Sequence, residues 1–367
     1  LARPDAQLRT KGLPRGRPFA FPDWPGAARD RPGCGRGIII AMVRATSLLT
    51  LLLFLAHASA NPALAPQPAS NGPAELPEGA RLSALLTDAR LAEVSGLAVS
   101  RRHPGIVWVH NDSGASSALF AVDAHGRVRA RLDLPVPNVD WEDLASFERD
   151  GRAFLLVADT GDNGGLRREL ALHLVEEPEA LEDGRADAVR TIRFRWPDGP
   201  RDCEAVAVDA GEGAVYLVSK KRVPPELFRL PLFPDDAGAV QVAEPLGTLA
   251  GILQPSAEDR EKNPVYGKYR GQITAADIRA DGALFAVMSY RHLYLWPRHA
   301  QGWAQALLQP PRRLDLPWMA QAEGMGFDAR EDALWISSER LPAPLIHYWL
   351  GVDGERVTSG GVTRIAR

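Results

Sequence analysis

The stretch 140–163, DWEDLASFERDGRAFLLVADTGDN, shows the pattern of apolar and polar positions that the rest of the chain repeats. An acidic cluster at 140–143 precedes a short alternating strand, and a turn follows in which Gly151 supplies a positive φ. The second strand, 153–158, is apolar throughout, which indicates burial on both faces. Because an antiparallel hairpin returns the chain to the end it left, the acidic start and the polar exit are predicted to lie together.

The same hairpin recurs in four other places, and a polar exit follows each start by roughly 15 to 17 residues. The equivalent starting positions are Ser95, Glu142, Glu204, Thr274 and Glu323, at intervals of 47, 62, 70 and 49 residues. Four-stranded propeller blades recur at roughly 40–50 residues, so the longer intervals carry insertions. The sequence therefore predicts an all-β propeller of five blades. A sixth blade, built from the insertion in the third unit or from the termini, is the alternative.

The propeller domain is expected to span residues 80–367 and to be nearly all β, because helical periodicity is scarce. A strand within 81–92 is expected to close the ring against the last unit, which removes the open sheet edges. The polar segment 256–272 follows the third unit and lacks periodicity, so it is predicted to be an exposed loop near the site.

The first 79 residues are expected to lie outside the fold. Residues 1–41 are rich in Arg, Pro and Gly and are interpreted as upstream or leader sequence. Residues 42–60 combine a basic start, an apolar run too short to span a bilayer, and an A-x-A site, which is typical of a signal peptide cleaved after Ala60. Residues 61–79 read as a flexible linker. The protein is therefore predicted to be secreted or periplasmic, with no lipid anchor.

Charge and cysteine content narrow the function. Residues after position 60 contain 34 Lys/Arg and 43 Asp/Glu, a net charge of −9, which argues against nucleic acid as a partner. Cys203 is then the single cysteine, a buried thiol by default, and no intramolecular disulfide is expected. We expect a monomer without a membrane span whose partner is a small molecule or a protein.

One end of the predicted channel would gather carboxylates, amides and a few cations from the strand starts and exits. Oxygen ligands in this number suit Ca²⁺, and Mg²⁺ less well. The predicted metal ligands are Glu142, Asp159, Asn163 and Glu204. The predicted ligand-binding residues are Asn111, Asp112, Asp162, Lys220, Thr274, Arg291, Glu323 and Glu339. Each of them could instead staple adjacent blades, so the prediction depends on their convergence, and no residue is assigned a catalytic role.

Three functions remain open from the residues alone. The first is a secreted propeller whose acidic pocket binds a ligand together with a divalent cation. The second is a metal-dependent hydrolase of a lactone, ester or phosphoester, in which Arg291 or Lys220 would steer an anion. The third is a protein-binding scaffold. A serine hydrolase is disfavoured, because no nucleophile-elbow motif lies between a strand and a helix.

Several phrases of the chain carry a family resemblance. VSGLAVS, GIVWVHNDSG, DWEDLA, LLVADTGDN, DCEAVAVD, ITAADI, FAVMSYR, AEGMGFD and LWISSER together resemble a group of secreted bacterial β-propellers of uncharacterised activity. The broader relatives look like NHL-type, gluconolactonase-like and esterase-like phytase propellers. The resemblance covers about 93–340. Gluconolactonase-like propellers imply a divalent cation in the channel, and the positions that match their ligands are Glu142, Asn163 and Glu204. Fold alone does not assign the activity.

Overall fold

The architecture is seen in a computed structural model that describes residues 76–236 and 238–351, with two further strands at 355–358 and 361–364. The predicted leader, signal peptide and most of the linker lie outside the described residues. The strands alternate with short turns, and the helices are few and short, as the scarcity of helical periodicity predicts. Among the described residues, no helix has the length and apolar character needed to cross a membrane.

The elements are numbered in the order in which they follow one another along the chain. The strands are β1 Ala80–Leu86, β2 Val94–Val99, β3 Ile106–Asn111, β4 Ala118–Asp123, β5 Val128–Asp133, β6 Trp141–Arg149, β7 Arg152–Asp159, β8 Leu170–Glu176, β9 Gly184–Arg185, β10 Arg190–Arg195, β11 Cys203–Asp209, β12 Ala214–Ser219, β13 Glu226–Pro231, β14 Gln241–Val242, β15 Glu244–Thr248, β16 Ile273–Ile278, β17 Leu284–Ser289, β18 His292–Pro297, β19 Arg312–Asp315, β20 Ala322–Phe327, β21 Ala333–Ser338, β22 Ala343–Trp349, β23 Glu355–Thr358 and β24 Gly361–Arg364. The helices are α1 Ala257–Lys262 and α2 Trp303–Leu307, with 3₁₀ turns at Ala89–Leu91 and Gly267–Tyr269.

Five of the sheets are the blades of a propeller, which confirms the predicted fold and its blade number. From the channel outwards the blades are β2-β3-β4-β5-β9, β6-β7-β8-β10-β14, β11-β12-β13-β15, β16-β17-β18-β19 and β20-β21-β22-β1. The insertion in the third unit builds no sixth blade. Its β14 pairs in parallel with β10 of the second blade, and β15 completes the third. The strands β23 and β24 form a separate pair.

The ring closes between the two ends of the propeller. β1 pairs antiparallel with β22, from Ala80 opposite Tyr348 to Leu86 opposite Ala343. The amide of Trp349 also donates to the carbonyl of Gly79 at 3.0 Å. The predicted closing strand is therefore present as the outermost strand of the fifth blade.

The core lies between the blades. Within the described residues, the buried apolar side chains form five clusters, and each cluster draws from two neighbouring blades. A strand such as β7 is therefore covered on both faces, which explains why its sequence is apolar throughout. Each fully buried Leu or Phe contributes roughly 1.5–3 kcal/mol relative to exposure, so the blade interfaces hold the ring together.

Every innermost strand contains a β-bulge at the same place. The pairing register shifts around Ser95, Glu142, Glu204, Thr274 and Glu323, one in each blade. A bulge adds one residue that has no partner across the ladder and turns its side chain away from the regular alternation. The positions that the sequence identifies as equivalent are thus equivalent in the backbone, and all five begin their strands at one end of the ring.

The acidic cluster at 140–143 does not lie ahead of the strand as the sequence suggests, because β6 already begins at Trp141. Asp143 is fully buried, and its Oδ2 accepts hydrogen bonds from the amides of Val206 at 2.8 Å and Ala276 at 3.1 Å, on the innermost strands of two other blades. Asp277 accepts in the same way from the amide of Phe327 at 2.8 Å. These two carboxylates therefore connect the inner strands across the channel.

Candidate functional site

The candidate site is the acidic mouth, which we define as the carboxylates of Asp112, Asp140, Glu142, Asp202, Glu204, Glu323 and Glu339 at the end of the channel where the inner strands begin. Carboxylate oxygens of Glu142, Asp202 and Glu204 all lie within 4.8 Å of one another. A second triad, Asp112, Asp140 and Glu142, meets the same limit. Glu142 belongs to both triads and is therefore the centre of the cluster.

Glu142 is buried with little compensation. Only 5% of its surface is exposed, and its carboxylate has one weak hydrogen bond, from Ser95 Oγ at 3.5 Å. Burial, and after it the charges of Glu204 and Asp112, raise the pKa of Glu142 well above its ordinary value. Burial of a carboxylate with one weak donor among the described residues is costly, so an ionised Glu142 destabilises the fold unless a positive charge is paired with it.

Gly161 makes room for these carboxylates. A Cβ at this position would lie 2.1 Å from Glu142 Oε1 and 2.4 Å from Asp140 Oδ2, which is closer than atoms can approach. The amide of Gly161 also donates to the carbonyl of Asp140 at 3.1 Å, which holds the polar exit of β7 against the start of β6. A larger residue than glycine in the sequence DTGDN would therefore have to displace the carboxylates of Glu142 and Asp140.

Lys220 is the buried cation of the acidic mouth. Its ammonium donates to Glu204 Oε1 and lies 5.6 Å from the ring centre of Tyr290. Burial lowers the pKa of Lys220, but the charges of Glu204, Glu323 and Glu142 outweigh it, so the pKa is raised overall. Burial, opposed by Lys220 and reinforced by Glu323, raises the pKa of Glu204 well above its ordinary value. Together with Lys221, whose Nζ lies 2.8 Å from Asp202 Oδ2, Lys220 supplies two ammonium groups for the seven carboxylates of the acidic mouth.

Glu323 and Glu339 form a second pair of carboxyl groups, next to the phenol of Tyr290. The hydroxyl of Tyr290 donates to Glu323 Oε1 at 2.7 Å. Burial, and after it the charge of Glu339 and a hydrogen bond with that residue, raises the pKa of Glu323 well above its ordinary value. Burial also raises the pKa of Glu339. Two adjacent carboxyl groups of raised pKa are suited to hold and release a proton.

Three predicted site residues, Asp159, Asp162 and Asn163, are already bound by neighbouring loops of the protein. Asp159 accepts from Arg167 Nη2 at 2.7 Å and from the amide of Asp140 at 3.2 Å. Burial raises the pKa of Asp159, but His173 and Arg167 lower it overall. Asp162 accepts from the amides of residues 166 and 167, and Asn163 is exposed, with its Oδ1 2.7 Å from Lys221 Nζ.

Other predicted ligand-binding residues hold the backbone of neighbouring blades. Asn111 donates from Nδ2 to the carbonyl of Arg90 at 2.7 Å. Thr274 donates from Oγ1 to the carbonyl of Ala322 at 2.7 Å, and Ser95 donates to the carbonyl of Glu142 at 3.0 Å. Arg291 lies outside the acidic mouth, where its guanidinium donates to Asp259. The structure thus brings together Glu142, Glu204, Glu323, Glu339, Lys220 and Asp112 from the predicted set.

Asp202 and Tyr290 belong to the site, although neither is among the predicted ligands. Asp202 is buried, accepts from the amide of Asp162 at 2.8 Å, and has Oδ2 2.8 Å from Lys221 Nζ. A sequence signal for it exists, because Asp202-Cys203-Glu204 repeats the spacing of Asp140-Trp141-Glu142. Tyr290 has no comparable signal, since its role depends on the turn between β17 and β18.

Four large apolar side chains are exposed at the end of the ring where the acidic mouth lies. Val139, Leu166, Val223 and Trp318 lie on loops at this end of the ring and are 53%, 81%, 68% and 65% exposed. Exposed apolar residues next to a recess are common where a ligand or a partner binds. By contrast, Trp141 is fully buried and donates from Nε1 to the carbonyl of Pro137 at 3.1 Å, so it is a core residue rather than a platform for a ligand.

The comparisons with known proteins add little to this description. No family model matches the chain, and no curated protein matches it. A PQQ-bound aldose sugar dehydrogenase from Streptomyces coelicolor is 12% identical with a TM-score of 0.40, covering 75% of this chain and 99% of its own. A luciferin-regenerating enzyme is 10% identical with a TM-score of 0.37, covering 77% and 97%. A protein of unknown function from Bacteroides thetaiotaomicron is 11% identical with a TM-score of 0.40, covering 74% and 75%.

Proposed function

We propose that the acidic mouth binds a divalent cation, Ca²⁺, and with it a ligand. The observation that carries this proposal is the triad Glu142, Asp202 and Glu204, whose oxygens lie within 4.8 Å of one another. Calcium binds oxygen at about 2.3–2.6 Å, so two oxygens on one ion are separated by at most about 5 Å. Three buried carboxylates at this spacing fit one ion without rearrangement of the strands.

The ligand set that we propose differs from the one that the sequence predicts. Asp202 takes the place of Asp159 and Asn163, because its carboxylate lies within 4.8 Å of those of Glu142 and Glu204. A cation bound there would displace the ammonium groups of Lys220 and Lys221, which now lie against Glu204 and Asp202. Calcium takes six to eight oxygens, so positions left open by the protein are available to water and to a ligand. The exposed apolar rim would then contact the remainder of that ligand. The ligand is accordingly a molecule with an oxygen-rich end and an apolar part.

Calcium is expected to raise the melting temperature of the wild-type protein by about 5 °C or more when present at about 100 times its Kd. Glu142→Gln should remove most of this shift, because the shared carboxylate of both triads loses its charge. Glu244→Gln, an exposed carboxylate 3.5 Å from Arg229 on the outer strand of the third blade, is the matched control and should keep the full shift. Differential scanning calorimetry measures the calcium-dependent shift of all three proteins, after each has been stripped of metal with EDTA and dialysed. An unmoved wild-type melting curve, or a shift that survives in Glu142→Gln, contradicts the proposal.

The pair Glu323 and Glu339 favours a second candidate function, a metal-dependent hydrolase of a lactone, ester or phosphoester. The pair lies beside Lys220 and has raised pKa values, as a proton donor and acceptor requires. A cation held by Glu142 would polarise the carbonyl or phosphoryl oxygen next to the bond that is cleaved. The resemblance to gluconolactonase-like propellers is consistent with this class.

If the protein is a hydrolase, EDTA should abolish its turnover in a screen of lactones, esters and phosphoesters. Glu339→Gln is expected to lower kcat by about 100-fold or more through loss of acid–base catalysis, while the calcium-dependent melting shift persists. Glu148→Gln, an exposed carboxylate at the opposite end of β6, should leave kcat unchanged. Absence of turnover on every substrate class would remove the hydrolase and leave the binding function intact.

A further inference from the structure

A second recess lies next to the acidic mouth and has the opposite charge. The insertion that precedes β16 packs against β18 and β19 of the fourth blade, and together they line a half-open cavity of about 290 Å³. We define the arginine cavity by the residues that carry its charge, Arg270, Arg291, Arg313, Asp259 and Asp315. Its volume is near the lower limit of small-molecule pockets, so it admits a small polar group rather than a large molecule.

The guanidinium groups in this cavity offer more hydrogen-bond donors than the protein provides acceptors for them. Asp259 Oδ2 is occupied by the amide and hydroxyl of Ser256, at 2.9 and 2.8 Å. Its Oδ1 accepts from Arg291 and lies 3.9 Å from Arg270 Nε. One carboxylate thus serves two arginines. An arginine carries five N–H donors, so most of them remain available to a ligand.

The remaining two charged residues, Asp315 and Arg313, leave the cavity with more positive than negative charge. Asp315 is 77% exposed and lies 3.2 Å from the ring of His292, not from an arginine. Arg313 is paired with Tyr294 through its backbone in the β18–β19 ladder, but its guanidinium forms neither a hydrogen bond nor an ion pair with any described residue. Three guanidiniums therefore face one cavity with a single carboxylate bound to them. Like charges repel at this proximity, and the arrangement is stabilised when an anion occupies the space between them.

The position of Arg291 connects the cavity with the acidic mouth. Tyr290 and Arg291 are neighbours in the turn between β17 and β18, and the hydroxyl of Tyr290 binds Glu323 whereas Arg291 lines the cavity. An otherwise acidic protein has thus concentrated arginines beside its most acidic recess. Folding does not explain this, because exposed surface ion pairs contribute little to stability.

We propose that the arginine cavity is an oxyanion-binding site that takes a phosphate or carboxylate group. Arginine presents paired donors in a plane that matches both groups, which is why it is favoured over lysine in such sites. The site is distinct from the proposed cation site and does not depend on it. Arg270 and Arg313 supply the donors that have no close acceptor. Arg291 lines the same cavity and is held in place by its hydrogen bond to Asp259.

Isothermal titration calorimetry tests this with two probes, inorganic phosphate and citrate, on protein that has been treated with EDTA and then dialysed into metal-free buffer without EDTA. The wild-type protein should bind at least one of them without any metal. The double variant Arg270→Gln/Arg313→Gln should weaken binding by about tenfold or more, because charge-assisted hydrogen bonds are lost. Arg229→Gln, on an outer strand of the third blade, is the matched control and should bind as the wild type does.

The two probes also identify the chemistry of the anion. Binding of phosphate alone assigns a phosphate group, and binding of citrate alone assigns a carboxylate. Failure of both probes to bind, or equal binding by the double variant, overturns the proposal. Because the measurement excludes metal, its failure is separate from failure of the cation site, and the double variant should retain any calcium-dependent melting shift.

Discussion

Replacing Asp143 with alanine is expected to lower the free energy of unfolding by about 3 kcal/mol or more. The substitution removes the acceptor of three amides, that of Leu144 and those of Val206 and Ala276 on the inner strands of two other blades. A buried N–H that loses its acceptor costs about 1–3 kcal/mol, and here three such groups lose it together. Urea denaturation monitored by tryptophan fluorescence measures the change.

The effect arises because an inner strand has one edge that no other strand covers. Its free amides face the channel and must find acceptors there. Asp143→Asn should cost less than alanine, since the amide oxygen can still accept from Val206 and Ala276, although its NH₂ would then face the amide of Leu144. Asp133→Ala, an exposed carboxylate in β5, is the control and should change stability by less than about 0.5 kcal/mol. If Asp143→Ala unfolds at the same urea concentration as the wild type, the carboxylate does not connect the blades.

In EDTA, the melting temperature of the wild-type protein is expected to fall relative to that of Glu142→Gln as the pH rises from 5 to 8. Burial raises the pKa of Glu142 well above its ordinary value, so the folded protein keeps a proton that the unfolded chain loses near pH 4. The contribution of Glu142 to the free energy of unfolding is therefore fully present at low pH and is lost as the pH rises through the pKa of the folded protein. Each unit by which the pKa is raised is worth about 2–4 °C.

The comparison is made as a difference between two proteins because other groups also titrate. Burial lowers the pKa of His110 and of His292, which destabilises the fold at low pH and acts in the opposite direction. Burial raises the pKa of Asp277 to about 6, which acts in the same direction as Glu142. These contributions are common to both proteins and cancel. Saturating calcium should reduce the difference at high pH, and parallel melting profiles in EDTA would show that Glu142 is already ionised at low pH.

The fold could be predicted from the sequence because each blade contains the same hairpin. Apolar strands such as 153–158 indicate burial on both faces, and the polar exits indicate which end of each hairpin they share. The bulge positions can therefore be read from the sequence, because the distance from each strand start to its polar exit recurs in every blade. The pairing of β14 with the second blade was not predictable, because a two-residue strand carries no periodic signal.

The site was only partly predictable, for a different reason. Composition and spacing identify carboxylates at the mouth, but they do not show which are already engaged. Asp159 lies at the same end of its hairpin as Glu142, yet its carboxylate accepts from Arg167 of the following loop, whereas Glu142 lies beside Asp202 and Glu204. That distinction depends on the conformation of the loop between β7 and β8. The arginine cavity depends similarly on how 253–271 folds back on the fourth blade, which no local pattern determines.

The five bulges have a consequence for how this protein can change. The backbone is alike at Ser95, Glu142, Glu204, Thr274 and Glu323, so each blade presents one buried side chain at an equivalent place. Hydroxyl groups occupy two of these places and carboxyl groups three, so the blades contribute unequally to the charge at this end of the channel. Exchanging a hydroxyl for a carboxyl group of fitting size at one of them would change that charge while the bulge, and with it the scaffold, stays in place.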